Sequence, residues 1–66
     1  MEFGEKARIR VQHWIEHNEH HQNEYEVFAG ELENAGRDES ARHVRRMIEY
    51  TLKATECLRN ALEALP

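Results

Sequence analysis

Apolar and polar positions repeat with a helical period along almost the whole chain, and the repeat is broken once. Ala7, Val11, Trp14, Asn18, His21, Tyr25, Phe28, Leu32 and Ala35 follow one another at alternating spacings of four and three without a slip. Ala41, Val44, Ile48, Thr51, Thr55, Leu58, Leu62 and Leu65 do the same in a second stretch, and Met47, Ala54 and Ala61 widen that second face. Such spacing returns each residue to one side of an α-helix and is the pattern of a coiled-coil seam. No alternating strand pattern competes with it. The predicted elements are helix 1 over about residues 4–35 and helix 2 over about 39–65.

The break is the stretch "ENAGRDES" at 33–40, which predicts a turn at 36–38. Gly36 fits the position just past a helix, where a left-handed backbone carries no Cβ penalty. Asp38 fits an N-cap, with Glu39 favourable in the first turn that follows. Gly30 lies inside a strong helical pattern and is expected to permit close helix contact rather than to end the helix. A short turn between two such helices makes an antiparallel hairpin, so the fold class is all-α. Folding at the turn sets Leu32 against Ala41, Tyr25 against Ile48, Trp14 against Leu58 and Val11 against Leu62. Asn18 and His21 then fall level with Thr55 and Thr51, which places the polar seam positions of both helices in one middle layer.

Sixty-six residues form one domain, and a core this small rarely supplies more than about 3–5 kcal/mol without help from a metal, a disulfide or oligomerisation. Cys57 is the single cysteine, so no disulfide forms within the chain, and its singleness suits a reducing compartment. A lone hairpin leaves one side of its seam wet. Dimerisation into a four-helix bundle is the expected closure, with a homodimer as the partner arrangement. Packing against another domain or protein is the competing one.

Charge narrows the partners further. The net charge of −4 argues against nucleic acid, whose phosphates need a surplus of Lys and Arg. The basic group Arg42, Arg45 and Arg46 is a local exception, read as surface solvation and helix pairing. The first ten residues hold no apolar signal region, and no apolar run approaches the roughly 20 residues that span a bilayer. A cytoplasmic protein without membrane contact is expected. Glycine-rich phosphate loops, nucleophile elbows and paired E-x-x-H ligand sets do not occur in the sequence, so the chain is read as not an enzyme.

Candidate chemistry concentrates in "HWIEHNEHHQNEYE", residues 13–26, with four histidines and four glutamates. At about 100° per residue, His21 falls on the expected core face and His17 at its edge, while His13 and Glu24 line the same flank and His20 faces water. Imidazoles four apart on a helix can share one ion, and nitrogen with carboxylate ligands suits Ni²⁺ or Zn²⁺. The candidate metal ligands are therefore His17 and His21, assisted by His13 and Glu24. His17 and His21 straddle the helix midpoint, so an antiparallel twofold mate would bring four imidazoles together. The alternative is a metal-free layer in which Asn18, His21, Thr51 and Thr55 hydrogen-bond one another and fix how the helices pair, with His20 paired to Glu24. Trp14, Tyr25 and Phe28 are expected in the core, His43 on the surface, and Cys57 as a half-buried inert thiol.

The run from His13-Trp14 through Glu16-His17-Asn18 to His21, followed by an alanine- and leucine-rich helix, resembles His-rich helical hairpin domains of unknown function associated with CooT-type nickel-binding proteins. In those a similar run follows a small nickel-binding β-domain or stands alone. The resemblance covers roughly residues 10–65. It implies a module accessory to metal handling, with a protein partner in that process and with His13, His17 and His21 as the positions carried over.

Overall fold

The computed structural model describes residues 2–66. It consists of two α-helices, α1 (Phe3–Asn34) and α2 (Asp38–Ala64), packed on each other as a hairpin measuring 51 × 16 × 11 Å. Each helix begins and ends within a residue of its predicted bounds.

The turn is built by backbone chemistry. Gly36 takes φ +76°, the Gly36 amide donates to the Glu33 carbonyl at 3.0 Å, and the Arg37 amide donates to the Leu32 carbonyl at 2.8 Å. These two bonds satisfy carbonyls that a helix end otherwise leaves unpaired, in the Schellman arrangement. Asp38 is not the N-cap expected of it. It is the first residue of α2, Arg37 occupies the cap without a side-chain hydrogen bond, and Asp38 and Glu39 place acid in the first turn, where the helix dipole favours it.

α2 buries the face its sequence predicts. Ala41, Ile48 and Thr55 are buried, and Val44, Thr51, Leu58, Leu62 and Leu65 are half-buried. α1 does not. Its buried residues are Ile15 and Ala29, and the column Arg8, Val11, Ile15, Asn18, Gln22, Tyr25, Ala29, Leu32 is buried or half-buried throughout, with Gly4, Ala7, His21 and Gly30 half-buried beside it. Val11, Asn18, Tyr25 and Leu32 belong to both versions of the seam. Trp14 and Phe28, expected in the core, are instead 48% and 52% exposed, which corresponds to a rotation of α1 by about 50°.

The reason lies in the number of columns that can pack. α1 carries three adjacent ones, of which Arg8, Ile15, Gln22 and Ala29 form the least apolar, and a contact with a single partner helix takes only two. Two exposed ion pairs accompany the choice that packing makes. Arg59 pairs with Glu19, and Arg45 grips Glu33 through two bonds of 2.8 and 2.7 Å. Both glutamates stand on the side of α1 away from Trp14, so these bridges close with that side turned toward α2. The two bridges lie fourteen residues apart on each helix, as a single antiparallel register requires, and the sequence pattern sets Ile15 level with Leu58, Tyr25 with Ile48 and Leu32 with Ala41.

Two further expectations are corrected. Gly30 is helical, but a Cβ built on it meets no atom within 4 Å; the close approach belongs to Ala29, which is fully buried. The polar layer does not form as a cross-helix network from its threonines. The Thr55 hydroxyl donates to the Thr51 carbonyl and the Thr51 hydroxyl to the Met47 carbonyl, each at 3.0 Å within α2.

Candidate functional site

The rotation of α1 gives the hairpin two unlike long edges. One is closed by the Glu19–Arg59 and Glu33–Arg45 bridges, with Leu52 between the two arginines. Hydrogen bonding to Arg45 holds the Glu33 carboxyl below its ordinary pKa, a shift that desolvation opposes and the guanidinium charge reinforces. The other edge is apolar on both helices. α1 contributes Trp14, His21 and Phe28, and α2 contributes Met47, Ala54 and Ala61. All six are exposed or half-buried. The residues that widen the helix 2 face thus share one edge with seam residues of helix 1 that packing leaves outside the contact, and a stripe of this kind rimmed by charge is the usual mark of an association surface.

The histidines stand on the outer shoulder of that apolar edge. His17 and His21 are brought together, with ring centroids 4.5 Å apart, and His13 lies 5.6 Å from His17. His21 Nδ1 is 3.0 Å from Glu24 Oε1, so the carboxylate orients that ring and leaves Nε2 free. The same Glu24 oxygen is 3.7 Å from His20 Nε2; His20 faces water, as its position predicts. His21 also stacks on Tyr25 at a centroid distance of 6.0 Å. It is not a core residue: its side chain is 43% exposed, because the Ile15–Gln22–Ala29 column occupies the contact with α2. His13 turns toward a shallow cleft shared with Lys6, Ile9, Arg10 and Trp14.

Of the four candidate ligands, then, His17 and His21 form a pair, Glu24 serves as the orienting group of that pair, and His13 is one turn removed. Among the described residues, no three His, Cys, Asp or Glu side chains gather into a ligand set. Cys57 is exposed rather than half-buried, on the α2 shoulder beside the apolar edge. His43 is exposed near the turn, as predicted. The residues that sequence reasoning missed are Ile15, Gln22 and Ala29. The signal was present, since 8-11-15-18-22-25-29-32 is as regular as the stripe one position away.

Residues 7–65 match a family model described as a domain of unknown function, DUF8180. The chain belongs to this family. No curated protein and no solved structure matches it. No described helix is long and apolar enough to cross a membrane.

Proposed function

We propose that this DUF8180 domain is a non-enzymatic association module whose apolar edge is covered by another helical surface. The observation that carries the reading is the placement of Trp14 and Phe28. Two large aromatics on a regular stripe are half exposed, while among the described residues Ile15, Ala29, Ala41 and Ile48 form the buried apolar core. A side chain of that size contributes several times more when covered than when wet, and a core of four small or medium residues is thin for 66 positions. Covering the edge removes both deficits at once.

The test is the stability of the uncovered hairpin. Chemical denaturation, at a concentration where the chain sediments as a monomer, should give less than about 3 kcal/mol, with Trp14 emission red-shifted and open to acrylamide. A monomer well above that stability would need no covering surface and would refute the reading.

A second reading is favoured by the His17–His21 pair. Two imidazoles at 4.5 Å, one of them oriented by a carboxylate as metal-bound histidines commonly are, fit half of a four-coordinate divalent site. The resemblance to nickel-associated hairpins supports Ni²⁺ or Zn²⁺. One chain supplies too few ligands, so the ion would bridge two surfaces and lock the association. Calorimetric titration of chelator-stripped, untagged protein should give half an ion per chain. Unchanged affinity in the His17→Ala/His21→Ala variant would exclude the site.

A further inference from the structure

The association reading leaves the identity of the covering surface open, and the distribution of charge along α1 restricts it. Lys6, Arg8 and Arg10 are the only lysines or arginines before Arg37, whereas Glu16, Glu19, Glu24, Glu26, Glu31 and Glu33 all lie in the later two-thirds of the helix. Resting on that reading, we infer that the partner is a second copy of this chain, related by a twofold axis through the His21 layer, with the two α1 helices side by side and antiparallel.

Two features of α1 are arranged about His21. The edge column of α1 reads Trp14, His21, Phe28, with an aromatic seven residues to either side. An axis at His21 therefore lays Trp14 of each copy on Phe28 of the other. The neighbouring outer column reads Arg10, His17, Glu24, Glu31. The same axis brings Arg10 within one residue of Glu31 of the mate and His17 within one residue of Glu24 of the mate, so basic positions of this column lie beside acidic ones. A parallel pairing of the α1 helices would instead stack Glu24 on Glu24 and Glu31 on Glu31.

A heterologous partner would not require the edge to be symmetric about its own centre. The arrangement also gathers His17 and His21 of both copies around the axis, which is the ligand set that a single hairpin lacks. Dimerisation stands without the ion.

The decisive experiment is a charge exchange on the full chain, read by sedimentation equilibrium at low and at physiological ionic strength. Arg10 and Glu31 are both exposed and lie about 31 Å apart along α1, too far to interact within one chain. Arg10→Glu and Glu31→Arg should each weaken the dimer roughly tenfold at low salt, because symmetry converts two attractive contacts into repulsive ones. The double variant should recover wild-type affinity, and all three effects should shrink with added salt. Helical circular dichroism should be unchanged throughout. A dimer in which the double variant fails to recover overturns this arrangement and leaves the association reading standing. A chain that remains a weakly stable monomer at every concentration overturns the second copy as partner, again without touching that reading. A strongly stable monomer overturns both.

Discussion

Gly30→Ala isolates one consequence of how α1 is rotated. The residue lies inside α1 and has no positive φ, so alanine fits the backbone without strain. A Cβ at this position meets nothing within 4 Å, so no packing is disturbed. What remains is the helix-interior difference between glycine and alanine, about 0.8–1.0 kcal/mol in favour of alanine. Part of it arises from the entropy the unfolded glycine would lose. Against a hairpin stability of at most about 3–5 kcal/mol, that is a fifth or more of the total, and for a chain of this size it raises the melting temperature by roughly 4–8 °C. Thermal and urea unfolding followed by circular dichroism at one fixed protein concentration measures it, with the urea dependence expected to keep its slope. Gly30 also lies on the side of α1 turned away from the Trp14–Phe28 edge, so the dimer constant should not move. A lower melting temperature would mean that another backbone approaches Gly30, and the present rotation of α1 would be wrong. A weaker dimer at unchanged hairpin stability would put the association surface on the wrong side of α1.

Other perturbations probe the seam and the bridges. Ile15→Ala should cost about 2–4 kcal/mol and leave the isolated hairpin largely unfolded by circular dichroism; a loss below about 1 kcal/mol would return the seam to the aromatic column. Thr55→Val should be neutral or slightly stabilising in urea unfolding, since its hydroxyl only bonds back to its own helix, whereas a cross-helix polar network would make the change clearly destabilising. Glu33 has a folded pKa lowered by Arg45, so its contribution is present above the ordinary carboxylate pKa and is lost as pH falls through the lowered folded value. Glu33→Gln should therefore flatten the acid limb of the stability profile, and an unchanged limb would show that the bridge contributes nothing in solution.

The two helices, their bounds and the turn were legible because each depends on local chemistry. A 3-4 spacing needs only the helical period, and Gly36 is where the chain must adopt a left-handed backbone. The buried face of α2 was equally legible, because its strongest apolar residues form two adjacent columns and the third, Met47, Ala54 and Ala61, is mostly small. α1 offered three columns of comparable regularity, and the aromatic one drew the expectation because Trp14 and Phe28 have the most surface to hide. Only the tertiary structure could rank them. The bridges from Glu19 and Glu33 reach their arginines only when the Ile15–Ala29 column faces α2, and Ala29 lets the helices close where Phe28 would hold them apart. The same rotation moved His21 from the interior to the shoulder and left His17, His21 and Glu24 on a surface. The sequence alone thus determines a helical hairpin with one surplus apolar column. Packing decides which column is surplus, because a two-helix contact has room for two and the small Ala29 permits the closer approach.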